Sequence, residues 1–229
     1  MKAHIVTPTP NIAKSVAFYE SLNFSVTAFA ERRIVTDGKV IIEIDPNRFA
    51  RAGVKILTEH LEEVATQLNE ITPLITTQNG YMLSDPSGTM LYLSDEKPQF
   101  EIETNETAFS SLGNFAGLSL ETTDPPTTMA IWKAVGFTKQ SGNVDQGWVS
   151  LTNEYGLGVS IMKPNTCPHL FFNPSLTYFN GGNNLEVIEK VRKAKIPISE
   201  EITHFNTEGI VDNIIIRDPG GYGFFLFND

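Results

Sequence analysis

Few residues in this chain are of a type that does chemistry, and their spacing narrows what that chemistry is. There are four histidines, His4, His60, His169 and His204, and one cysteine, Cys167. His4 lies in Lys2-Ala-His-Ile-Val-Thr7 and Glu43 in Lys39-Val-Ile-Ile-Glu-Ile44, each between apolar neighbours. In a strand, where side chains alternate, this sets the imidazole and the carboxylate on the face opposite those neighbours. The plain structural reading is a hydrogen-bonded pair on a polar surface; the chemical one makes Glu43 a general base. A second group is aromatic: Tyr92, Trp148, Tyr178 and Phe225 all fall in strand-like runs. Facing a cavity, they make a stacking pocket for a planar or cationic ligand; facing inward, they are core.

Other chemistries find no support. A single Cys167 excludes an internal disulfide and a cysteine-rich metal site, and reads as a structural thiol. No Gly-x-Ser-x-Gly, P-loop or Gly-x-Gly-x-x-Gly occurs. Glu62-Glu63 and Glu200-Glu201 read as solvated charges, and Gly181-Gly182 at a helix entry as a turn. The formal charge is −10 and no basic run offsets it, which argues against nucleic acid. No apolar run approaches the roughly 20 residues of a membrane span. The start, Met1-Lys-Ala-His-Ile, lacks the pattern of a signal peptide. The expectation is a cytoplasmic monomer or homodimer whose partner is a small molecule, with no nucleic acid and no membrane.

The elements that must position these residues repeat. Tyr81-Met-Leu-Ser-Asp-Pro-Ser-Gly-Thr-Met-Leu-Tyr-Leu93 and Ile214-Ile-Ile-Arg-Asp-Pro-Gly-Gly-Tyr-Gly-Phe-Phe-Leu-Phe227 each read as strand, Asp-Pro turn, strand. Adding 113 takes Tyr19 and Phe24 to Trp132 and Phe137, Asn11 to Asp124, and His4 to Gly117. An offset of 133 takes Tyr92 to Phe225. Asn11 caps a helix over 12–22, and Asp124 another that opens on Pro125-Pro126. Asp37-Gly38 is a hairpin signal. Each unit has the order strand, helix, three strands. The predicted fold is α+β, with four βαβββ modules at 1–50, 51–97, 113–170 and 171–229. They form two domains, 1–97 and 113–229, joined by a polar linker over 98–112.

Four such units resemble the vicinal-oxygen-chelate superfamily, which includes glyoxalases, bleomycin-resistance proteins and extradiol dioxygenases. The residues that carry the resemblance are Ala17-Phe-Tyr-Glu-Ser-Leu-Asn-Phe24 after the first strand and the Asp85-Pro-Ser-Gly88 and Asp218-Pro-Gly-Gly221 turns. It implies two tandem glyoxalase-like domains with curled, cup-shaped mixed sheets around a small ligand. In metal-using members the ion is held by His or Glu from a module's first strand and Glu from its last. Carried over, that implies a metal site at His4 and Glu43 only. The other modules offer Val54 and Tyr92, Gly117 and Ile161, then Leu176 or Tyr178 with Phe225. Dioxygenases of this type place their metal in the second domain, so the resemblance points away from that activity.

Three functions follow. The first is metal-independent binding of a small organic molecule by His4, Glu43, Tyr92, Trp148, Tyr178 and Phe225, with no cofactor. The second is a lyase or isomerase of the glyoxalase type, in which His4 and Glu43 hold iron, nickel, zinc or manganese. The third is a structural or assembly protein with filled cups.

Overall fold

The computed structural model describes residues 1–97 and 107–228. Local chemistry sets the helix starts. Asn11 accepts from the Lys14 amide at 3.0 Å and Asp124 from the Thr127 amide at 3.2 Å, the latter ahead of two prolines. The first module is β1 (Lys2–Pro8), α1 (Ile12–Ser21), β2 (Ser25–Phe29), β3 (Arg32–Thr36) and β4 (Ile41–Asp45). The second is β5 (Gly53–Leu57), α2 (Leu61–Asn69), β6 (Ile75–Thr77), β7 (Gly80–Ser84) and β8 (Met90–Ser94). The third is β9 (Phe115–Glu121), α3 (Pro125–Ala134), β10 (Thr138–Asn143), β11 (Trp148–Thr152) and β12 (Gly158–Met162). The fourth is β13 (Ser175–Phe179), α4 (Asn184–Lys193), β14 (Ile198–Ile202), β15 (Asn213–Arg217) and β16 (Gly223–Phe227). The α+β fold of four βαβββ modules is therefore as expected. Among the described residues, no helix is long and apolar enough to cross a membrane.

Modules pair by joining their first strands. β1 runs antiparallel to β5, giving a mixed sheet β2-β3-β4-β1-β5-β8-β7-β6. β9 and β13 do the same in β10-β11-β12-β9-β13-β16-β15-β14. Two local details differ from expectation. β4 begins at Ile41 because Asp37 Oδ1 accepts from the amides of Lys39 and Val40, both at 2.9 Å, and holds them in the turn. Of the linker expected over 98–112, residues 98–106 lie outside the described residues. The remainder docks on the first module: Phe109 N donates to Asp37 O and Ser111 N to Leu22 O, each at 2.8 Å, and Leu112 is buried.

The helix-covered faces of the two sheets share one apolar core, from Ile5, Tyr19 and Ile42 through Trp132 and Leu118 to Tyr178 and Phe224. Helix α1 reaches the other sheet directly, with Phe18 and Tyr19 rings 5.9 and 6.3 Å from Phe224. Both Asp-Pro turns cross this seam. Asp218 accepts from Thr7 Oγ1 at 2.6 Å, Tyr19 OH at 2.8 Å, and its own turn's Gly221 and Tyr222 amides at 2.7 and 2.8 Å. Asp85 accepts from Trp132 Nε1 at 3.0 Å and from the Ser87 and Thr89 amides at 2.9 and 3.0 Å. Tyr19 and Trp132 are the residues that the 113-residue offset relates, so the two contacts are equivalent. Tyr222 OH donates to Gly53 O at 2.6 Å, and Tyr178 OH to Asp37 at 3.0 Å.

A buried acceptor stripped of a donor costs about 1–3 kcal/mol. Tyr19→Phe should lower the urea-unfolding free energy by about that much, and Trp132→Phe similarly at the other end. Gly220→Ala should cost at least as much for a different reason. Its Cβ would stand 2.1 Å from Thr7 Oγ1 and 2.2 Å from Pro8 O, so the hairpin would have to leave β1.

Candidate functional site

Away from the core, the first sheet carries charge. In β1, β5 and β8 the core takes Ile5, Val54, Ile56, Leu91 and Leu93. Alternation then turns His4, Lys55 and Tyr92 to the opposite face, where register sets them in one row, His4 beside Lys55 and Lys55 beside Tyr92. Glu43 in β4 lies opposite Val6 on one side and Ile34 on the other. Its carboxylate is buried, with 4% of the side chain exposed, and it is gripped by two cations. Lys55 Nζ lies 3.0 and 2.8 Å from its two oxygens, and Arg32 Nη1 lies 3.0 Å from Oε1. A second carboxylate, Glu96, sits further out at 3.8 Å from Lys55 and 4.0 Å from Arg32. Asn79 Nδ2 donates to its Oε1 at 3.0 Å. Tyr92 OH is tied to the Arg51 backbone, donating to its carbonyl at 3.0 Å and accepting from its amide at 2.8 Å. Burial, then the charges of Lys55 and Lys2, lower the His4 pKa to about 4, so this imidazole is neutral at pH 7.

Beside this network a cleft of about 400 Å³ is lined by Lys2, Leu57, His60, Glu96, Lys97 and Tyr155, among others. Tyr155 belongs to the second domain, and Lys2 Nζ lies 5.8 Å from its ring centroid.

The second sheet places Gly117, Thr177 and Phe225 in the equivalent row. None of these offers a charge. Phe225 packs with Ile202, Ile215, Phe171, Phe172 and Phe227 in a second apolar cluster. The His169 ring lies 5.2 Å from both Phe225 and Phe227. The segment carrying His169, Phe171 and Phe172 thus fills this half of the cup. At Gly117 a Cβ would stand 2.5 Å from Gly158 O, so no side chain fits where His4 stands in the first sheet.

Of the six residues expected to bind a ligand, the structure brings three together. His4, Glu43 and Tyr92 share the polar face of the first sheet. Tyr178 does not face a cup: it is fully buried in the seam and bound to Asp37. The hollow face of β13 is taken instead by Thr177, whose hydroxyl is 2.7 Å from that of Ser119. Phe225 lies on the hollow face but is 2% exposed within the filling cluster. Trp148, 44% exposed, stands in β11 opposite Met162, apart from the first cup. The same one-residue slip affects two positions expected to match metal ligands: Val54 and Ile161 are core, and Lys55 and Ser160 take the hollow face. Lys55 and Arg32 were missed altogether, although Lys55 alternates with Val54 and Ile56 just as His4 does with its neighbours.

Two ligand residues expected from the sequence, His4 and Glu43, do not fit a divalent ion. An ammonium and a guanidinium already contact the carboxylate that would hold it. Two unit charges 4 Å apart interact by about 4 kcal/mol at an effective dielectric of about 20, and a divalent ion doubles the repulsion from each cation. Among the described residues, no three of His, Cys, Asp and Glu are grouped to hold a metal. Cys167 is no reactive thiol either, since burial and then Glu121 push its pKa up to about 11.

No family model matches the sequence, and no curated protein is similar to it at the level of sequence. Solved structures are similar. Homoprotocatechuate 2,3-dioxygenase from Arthrobacter globiformis superposes with a TM-score of 0.61 at 15% identity, over 99% of this chain and 78% of that one. The 2,3-dioxygenase LapB from Pseudomonas sp. KL28 gives 0.58 at 14%, over 99% and 91%. The 2,2',3-trihydroxybiphenyl 1,2-dioxygenase of Sphingomonas wittichii RW1 gives 0.55 at 14%, over 99% and 89%. At such identities the likeness is one of fold alone: two tandem pairs of βαβββ modules.

His4 gives the site a pH signature. Its folded pKa is about 4 against 6.5 for the free side chain, so between these values the unfolded chain binds more protons. The stability it lends is complete above pH 6.5 and is lost as pH falls through about 4. By histidine NMR, Lys55→Met should move the His4 midpoint up toward 6.5, and His4→Gln should flatten unfolding free energy across that window.

Proposed function

We propose that this chain is a binding protein that holds a small organic molecule at the polar cup of its first domain, without a metal ion. The observation that carries this reading is the Lys55–Glu43–Arg32 cluster. Where the resemblance implies a metal, the chain supplies its own cations. They can meet the polar end of a ligand from a wall that β5 and β3 hold rigid. The neutral His4 imidazole stands in the same row beside Lys55 without adding charge. The adjoining cleft supplies entry and room, at the scale typical of small-molecule sites. A lyase or isomerase with Glu43 as base is less well supported, because both cations occupy the carboxylate that would have to take the proton. Extradiol chemistry of the kind named for the structural neighbours has less support still: Gly117, Thr177 and Phe225 hold no metal-binding group.

The test is elemental analysis of untagged protein after incubation with iron(II), nickel, zinc and manganese, beside His4→Ala and Glu43→Ala. All three proteins should carry far less than one ion per chain. Near-stoichiometric metal that both substitutions abolish would transfer the chain to the metal-dependent lyases and isomerases. In parallel, a thermal-shift screen of small organic compounds should find one that stabilises the wild type and not Lys55→Met. A ligand at 100 times its Kd adds about 2.7 kcal/mol to folding. If no metal binds and no compound stabilises the protein, a structural or assembly role takes over.

A further inference from the structure

The two carboxylates of the first cup are held unequally by the same two cations, and this difference bears on what the cup receives. Glu43 is buried and in hydrogen-bonding contact with Lys55 and Arg32. Glu96 has 41% of its side chain exposed and stands 3.8 and 4.0 Å from them, beyond hydrogen-bond reach. A partner at that distance and exposure is held weakly. Glu96 also lines the cleft, so it stands between the open volume and the two cations. Resting on the reading of this cup as a binding site, we infer that its ligand is a small organic carboxylate, for which Glu96 keeps the place.

The chemistry on the page agrees. A guanidinium has five N–H donors and an ammonium three, more than Glu43 can take up. A ligand carboxylate entering from the cleft replaces Glu96, which Asn79 holds at 3.0 Å but neither cation contacts, by a mobile carboxylate that can close to contact distance with both. Lys2 on the cleft wall adds a third positive charge, leaving Lys2, Arg32 and Lys55 against Glu43 once Glu96 swings away. Glu59, Asp95 and Lys97 line the exposed rim. Leu57 and Tyr155 offer apolar surface for the body of the ligand. A neutral amide of the same shape can accept from the cations but lacks the charge attraction and the second acceptor oxygen.

Calorimetric titration with benzoate, and with benzamide as its neutral isostere, tests this on the full chain at low salt. Wild type should bind benzoate in preference to benzamide. Glu96→Gln, at an exposed position that leaves the inner cluster intact, should tighten benzoate about two- to fivefold, the worth of a removed exposed competitor. Lys2→Met should weaken it. Unchanged or weaker benzoate binding in Glu96→Gln overturns the inference, as does equal binding of benzamide or no benzoate binding by either protein. Should the screen still yield a neutral compound that depends on Lys55, the carboxylate inference fails while the binding reading survives. Should it yield none, both fail.

Discussion

Two buried aspartates hold the molecule in the form that makes everything else meaningful. Asp218 and Asp85 are acceptors sunk in the seam between the sheets, each supplied partly by its own turn and partly by an aromatic donor from the opposite domain. Burial alone would push both carboxyls toward protonation, and the surrounding donors pull the other way. With the seam fixed at both ends, the helix-covered faces meet in one core and the other faces of the sheets remain for function. The turns that look in sequence like simple reversals are therefore also tertiary clamps.

Given that frame, the two cups have gone opposite ways. The equivalent rows read His4, Lys55, Tyr92 in one sheet and Gly117, Thr177, Phe225 in the other. The first keeps water-seeking groups and must neutralise them among themselves, which the Arg32–Glu43–Lys55 cluster does. The second trades them for phenylalanines and folds a segment of its own chain over them. One cup is costly to bury and so suited to exchange; the other is closed by the ordinary hydrophobic effect.

Much of the fold was legible because repetition and capping are local. The offsets of 113 and 133, the Asn11 and Asp124 caps and the Asp-Pro turns each depend on a few neighbouring residues. Which face a strand shows is harder. In Ser175-Leu-Thr-Tyr-Phe179 the first four residues are buried, so the alternation that should reveal the hollow face is muted, and Tyr178 reads as well as Thr177. Lys55 was within reach of the same rule that found His4. The role of Asp218 was not, since its side-chain donors Thr7 and Tyr19 lie 211 and 199 residues away along the chain.

The contact between Gly117 and Gly158 has an implication for redesign. A Cβ at 117 would meet the Gly158 carbonyl oxygen at 2.5 Å and one at 158 the Ala116 carbonyl oxygen at 2.9 Å, so each position is bounded by the neighbouring strand's backbone. A histidine could not be placed at 117 by one change, because β12 would first have to withdraw and take its ladder with it. The second hollow is thus barred by backbone position from carrying a side chain at 117. In the first sheet the corresponding position already carries His4, and the same kind of backbone barrier falls at Gly53, whose Cβ would meet Met90 O at 2.0 Å.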